Sequence, residues 1–239
     1  MRTFVNGSTP VVLLVHGGFA DASSWSDVIA DLQDAGIEVI APANPLRGVA
    51  VDAAYLAGIV LGIDGPVLLV GHCYGGTVIT QAGANADNVV GLVYVAAFAP
   101  AVGESLLDLS ARFPDTLLGP ALRPTGNAEL YLTTDRYHEA FAADLPGRVT
   151  SVAAAAQRPV ATAAFEQRCT AAAWQRLPSW FVVATADQAI HPEAQRFMAR
   201  RIGADTIEVD ASHAVVRSRP AEVAAHIRTA SRAARPNPN

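Results

Sequence analysis

Hydrophobic positions along the chain fall into short unbroken runs, separated by longer stretches in which they recur at helical spacing. The runs are Val11-Val12-Leu13-Leu14-Val15, Ile37-Glu38-Val39-Ile40-Ala41, Val67-Leu68-Leu69-Val70, Asn88 to Phe98, Ser179 to Thr185 and Asp205 to Val209. Short apolar runs bounded by Gly, Pro and Asp read as buried strands. Between them, Trp25, Val28, Ile29 and Leu32 mark a helix capped by Ser23 or Ser24 and stopped at Gly36. Further helices are predicted over 51–63, 76–82, 192–202 and 220–231. Strands alternating with helices predict an α/β architecture: a mostly parallel sheet of about six or more strands with helices on both faces.

The rhythm fails between Pro100 and Pro178, where no convincing strand is visible. An interval of roughly eighty residues is too long for one crossover connection. It predicts a helical cap, 100–178, inserted into a core made of 1–99 and 179–233, with 234–239 as a disordered tail.

The chemistry concentrates at Gly71-His72-Cys73-Tyr74-Gly75. An apolar strand precedes it and a helix-like segment follows it. This is the nucleophile-elbow pattern G-x-S-x-G, with cysteine in the serine position. A sharp turn there holds the side chain clear of the sheet, and the helix start aims its positive end and free amides at the site. A nearby histidine and a helix N-terminus are the surroundings that activate a thiol.

A general base is expected later in the chain. His213 follows the last strand, on the sheet edge where open α/β sheets hold their sites. The orienting acid falls between nucleophile and histidine in this order of elements. Asp187, directly after a strand, is the candidate; Glu104 is a weaker one, and Asp210 is too close to His213. The oxyanion donors are expected at the Tyr74 amide and in the loop after the first strand, at Gly18 with Phe19 next. His16 and His72 are expected to be structural. Leu106, Leu107, Phe113, Tyr131, Phe141 and Trp174 are expected, with Phe19, to line an apolar pocket.

Composition narrows the alternatives. Of 239 residues, 51% are hydrophobic and 16% charged, with a net charge of −5, which argues against a nucleic-acid binder. No run reaches the roughly 18–20 apolar residues of a membrane span, and no signal-peptide pattern opens the chain, so a cytoplasmic protein with no membrane partner is expected. Cys73 and Cys169 form no disulfide framework. The histidines lack metal-binding spacing and the glycines fit no nucleotide loop, so neither metal nor cofactor is expected. A small-molecule substrate is the expected partner, with a homodimer possible.

Taken together, Leu14-Val15-His16-Gly17-Gly18 with Trp25, Val70 to Gly76, Thr185-Ala186-Asp187 and Ala211 to Pro220 resemble the α/β-hydrolase family across nearly the whole chain. The resemblance is closest to the small-molecule esterase branch of plant methylesterases and hydroxynitrile lyases. It implies a Cys73–His213–Asp187 triad, an oxyanion hole of Gly18 and Tyr74 amides, and an apolar pocket under a cap. Ala214 stands where the lyases carry lysine, which counts against cyanohydrin cleavage. Cys73 departs from the branch's serine. It fits a cysteine hydrolase cleaving an ester, lactone or thioester, an acyl-transfer enzyme, or a serine esterase whose serine has been replaced. A ligand-binding protein using the hydrolase pocket is the non-enzymatic alternative.

Overall fold

The computed structural model describes residues 9–234. The expected tail therefore lies outside the described residues except for Ala234. All six expected strands form: β1 (Val11–Val15), β2 (Val39–Ile40), β3 (Val67–His72), β4 (Val89–Val95), β8 (Ser179–Ala184) and β9 (Asp205–Val209). They build one sheet in the order β2-β1-β3-β4-β8-β9, with parallel neighbours throughout.

Alternation along these strands splits the core in two. Leu13, Val15, Leu69, Leu92, Tyr94, Phe181 and Val183 point to one face, where Leu56, Val78, Ile79 and Met198 cover them. Val12, Leu14, Leu68, Val70, Val93, Val95 and Val182 point to the other, against Trp25, Val28, Leu32, Val223 and Ile227. Both faces are buried, so the strands read as continuous apolar runs rather than alternating ones. The first helix region starts one step earlier than expected. Asp21 is the capping residue: its carboxylate accepts from the Ser23 amide at 2.7 Å, and the turn Ala22–Trp25 leads into the helix Ser26–Asp34.

The interval 100–178 corrects the expectation of an all-helical insertion. It holds helices Leu106–Ser110, Leu118–Ala121, Thr134–Phe141, Gly147–Ala156 and Ala163–Glu166. It also carries β5 (Leu122–Pro124), β6 (Glu129–Leu132) and β7 (Val160–Ala161), which form an antiparallel sheet in the order β5-β6-β7. Strands this short, one of them ending at Pro124, cannot show an alternating pattern. Among the described residues, no helix is long and apolar enough to cross a membrane.

Candidate active site

The segments that follow β1, β3, β8 and β9 meet at the carboxyl edge of the sheet, and each brings one part of the site. After β3 the chain turns at Cys73 with φ 54° and ψ −121°, a conformation costly for a non-glycine residue. The turn is held on all sides. The Cys73 amide donates to Val95 O at 3.3 Å, and its carbonyl accepts from Gly76 N at 3.1 Å and Phe98 N at 3.2 Å. Helix Tyr74–Ala82 begins immediately after it. As the first residue of that helix, Tyr74 has an amide with no carbonyl to bond within the helix, so it is free to face a ligand.

Close approach explains the glycines. A Cβ on Gly17 would lie 2.5 Å from Cys73 Cβ, and one on Gly71 would lie 2.5 Å from the Gly75 carbonyl. The loop after β1 is thus pressed against Cys73. Gly18 and Phe19 follow, with Phe19 at φ 58°, and both line the cavity into which Cys73 and Tyr74 open.

Asp187 and His213 form a wholly buried pair, His213 Nδ1 lying 2.7 Å from Asp187 Oδ2. Asp187 Oδ1 accepts from the amides of Ala189 at 2.7 Å and Ile190 at 2.9 Å. Oδ2 also accepts from Gln195 Nε2 at 2.7 Å. The acid loop is stitched to the histidine loop by Ala186 N donating to Ala211 O at 3.0 Å. Burial is the largest influence on His213 and opposes its charge. The charges of Asp187 and Cys73, with their hydrogen bonds, outweigh it and hold the imidazole well above its ordinary pKa. Nε2 has no partner that meets hydrogen-bond geometry, although Cys73 acts on it at short range. Cys73 is thus near enough to influence the His213 ring, with no hydrogen bond formed between them.

The other two histidines support the frame. The His16 ring donates from Nδ1 to Gly17 O at 2.8 Å and accepts the Asn44 amide on Nε2 at 2.9 Å. His72 donates from Nε2 to His213 O at 2.9 Å. Burial is the main cause that lowers their pKa values to about 4 and about 3. Depressed histidine pKa values stabilise the fold above the unfolded value of about 6.5, and that stability drains away as pH falls toward the folded values. Each histidine contributes up to about 1.4 kcal/mol per pH unit in that window. His213, shifted the opposite way, adds only a smaller opposing slope near pH 6.5, which vanishes toward pH 5 as the unfolded imidazole also becomes charged. The urea midpoint is therefore expected to fall steeply from pH 6.5 to 5, and an unchanged midpoint would refute the neutral, buried assignment.

The structure brings together most of the expected aromatic and leucine lining and corrects the rest. A cavity of about 550 Å³ is bounded by Phe19, Leu106, Leu107, Phe113 and Phe141 among other side chains, mostly apolar. Tyr131 and Trp174 do not line it. Tyr131 sits opposite Arg123 in the small sheet, and the Trp174 indole donates to Pro100 O at 2.8 Å. Glu104 is bound to Arg201 and Arg112, away from the histidine it was a candidate to orient.

Gln195 and Asp144 were not anticipated. Gln195 is completely buried, receives the Ala184 amide at 3.0 Å and clamps Asp187. Asp144 accepts from the Ser212 amide at 3.0 Å and from its hydroxyl, while Ala214 N donates to Phe141 O at 3.0 Å. The residues on either side of His213 are thus fastened to the interposed segment. Among the described residues no group of three or more His, Cys, Asp or Glu side chains converges as a metal site would need.

Comparison with known proteins follows the same geometry. The chain is 27% identical over 246 residues to the alpha/beta hydrolase nvfD of Aspergillus novofumigatus, covering 93% of this chain and 96% of that protein. A pyrethroid hydrolase from Sphingobium faniae superposes with a TM-score of 0.80 at 20% identity, over 94% of this chain and 98% of the other. Polyneuridine aldehyde esterase gives 0.80 at 19%, over 94% and 100%. At such identities these structures speak to the fold alone. A family model matches residues 12–226, from the first core strand to the last helix, and on that match the chain belongs to the alpha/beta hydrolase family.

Proposed function

We propose that this chain hydrolyses a small, largely apolar ester, lactone or thioester through an acyl-enzyme on Cys73. The observation that carries the reading is the buried Asp187–His213 pair, 2.7 Å apart, set behind an elbow whose cysteine opens onto an apolar cavity of about 550 Å³. Hydrolase and esterase are also the names borne by two proteins that share this fold.

Cys73 Sγ attacks the substrate carbonyl while its proton resides on His213 Nε2. The oxyanion is met by the Tyr74 and Gly18 amides, which are fixed before charge develops. Collapse breaks the carbon–oxygen bond, or carbon–sulfur bond in a thioester, and His213 gives its proton to the leaving group. His213 then takes a proton from water, whose oxygen attacks the acyl carbon. The acid leaves and Cys73 regains the proton. Asp187 holds the ring orientation and stabilises its charge. The segment 100–178 acts as the cap that gives the acyl pocket its shape.

The test is a panel of p-nitrophenyl esters combined with intact-mass analysis. The unmodified protein is expected to turn over and to carry an adduct on Cys73. Cys73→Ala is expected to lose both, and His213→Ala to lose at least about 10³-fold in rate, in line with removal of a triad member. Equal rates in all three proteins would overturn the reading. Acyl transfer to an amine, alcohol or thiol is the second reading, favoured by one observation: His213 is fully buried, under the ring of Phe141 4.7 Å away. Products formed with an amine present discriminate, because acid alone means hydrolysis.

A further inference from the structure

We propose that water reaches the acyl-enzyme from a second chamber, on the far side of Phe19 and Phe141, and that the Phe141 ring gates it. The inference rests on the acyl-enzyme reading above.

Cys73 walls the large cavity, whereas His213 itself walls neither this cavity nor the smaller one beside it. In this proposal an acyl chain bound on Cys73 occupies the part of that cavity next to the thiol and stands between the cavity's water and His213. Hydrolysis nevertheless needs a water molecule at His213 Nε2, and the ring of Phe141 lies across His213 at 4.7 Å and 70°. Behind this ring is a separate chamber of about 140 Å³. Phe19 and Phe141 line both spaces and meet edge to face at 6.4 Å, which makes them the partition.

Polar groups line part of an otherwise apolar chamber. Asp21, Ser23, Ser24 and Arg217 furnish polar groups, and His72 and Ala214 place its inner wall beside the base. The His72 ring itself lies 4.7 Å from that of His213. At about 30 Å³ of liquid volume per molecule, the space has room for a few waters.

The gating motion proposed is of the Phe141 ring, which packs against Phe19, His72, Tyr137 and His213, and not of its backbone. Phe141 ends helix Thr134–Phe141, and its carbonyl is held by Ala214 N at 3.0 Å. Rotation of its side chain therefore opens the partition and leaves the histidine loop in place. In the gated step, the water oxygen forms a bond to the acyl carbon and the carbon–sulfur bond breaks. The water proton passes to His213 and then to the departing sulfur, so acid and free thiol result.

Two variants that narrow the small chamber test this: Ala153→Leu, on its wall, and Val152→Trp, at a position 64% exposed and therefore tolerant of substitution. Formation and decay of the Cys73 adduct are followed separately after mixing with p-nitrophenyl butyrate. Adduct formation is expected to stay within twofold of the unmodified protein, while decay slows at least fivefold. If Val152→Trp and any folded Ala153→Leu protein decay at the unmodified rate, or if formation slows as much as decay, the water route is overturned. If the unmodified protein forms no adduct with any acyl donor, the acyl-enzyme reading itself fails, and that outcome is distinct from the other two.

Discussion

Asp187→Asn is expected to lower kcat by about 10³–10⁴-fold while leaving the chain folded, the scale seen when a triad carboxylate becomes an amide. The carboxylate accepts four hydrogen bonds, two from backbone amides on Oδ1 and two, from Gln195 and His213, on Oδ2. An amide has one acceptor end. Whichever way the substituted side chain turned, its NH₂ would face a pair of donors, leaving buried groups unsatisfied at a cost of about 1–3 kcal/mol. If NH₂ faced the histidine, His213 Nδ1 would become the acceptor and Nε2 the donor, the wrong tautomer for a base.

The exchange also removes the charge that holds His213 up to about 10 against the effect of burial. A raised histidine pKa contributes stability that is complete below the unfolded value of about 6.5 and is lost as pH rises through the folded one. In the unmodified protein that loss runs from pH 6.5 to about 10. In Asp187→Asn this dependence should collapse, which urea unfolding at pH 6.5 and 9 measures directly. A rate loss below tenfold, with the alkaline slope retained, would remove Asp187 from the mechanism.

Gly75→Ala is expected to be the most damaging single methyl in the protein's core, costing about 3 kcal/mol or preventing folding. The added Cβ would stand 2.3 Å from Val15 O and 3.1 Å from His16 O, and both are backbone atoms of β1 and its outgoing loop. No side chain can swing aside to relieve this. The helix must withdraw from the strand, taking the Tyr74 amide away from Gly18. Gly58→Ala is the matched control, since it lies in helix Val49–Leu61 with no atom within 4 Å of the new Cβ. Helix propensity alone should stabilise that variant by about 0.5–1 kcal/mol. Thermal melts of the two proteins should therefore move in opposite directions; a Gly75→Ala protein as stable as the unmodified one would contradict the packing described for the elbow.

The main sheet was legible because its strands are buried on both faces, so each appears in the sequence as an uninterrupted apolar run between turn residues. The elbow, Asp187 and His213 were legible because they occupy fixed places relative to those runs. The small sheet was not. Leu122-Arg123-Pro124 pairs with its near neighbours Leu130 to Leu132 but is too short and too polar to show an alternating run, and Val160-Ala161 takes its pairing from Leu130 and Glu129, across a distance that local pattern cannot register. Gln195 and Asp144 escaped for a related reason. A glutamine near the start of an ordinary polar helix looks solvated until the fold sets it under Asp187, and only its offset of eight residues from that aspartate hints at a shared task. Trp174 was misassigned because size and apolarity do not encode direction; its indole proton found Pro100 O and its ring lies under the Arg201 guanidinium.

Asp144 and Phe141 belong to the interposed segment, yet they grip Ser212 and Ala214, the two neighbours of His213. His213, the proposed general base, is therefore held by both parts of the chain. Grafting a foreign insertion between β4 and β8 to alter substrate range would exchange the wall of the pocket and, with it, half the moorings of the histidine. A transplant that keeps an acceptor at position 144 and places the carbonyl of position 141 against Ala214 N holds His213 firmly, whereas one chosen for pocket shape alone leaves it loose.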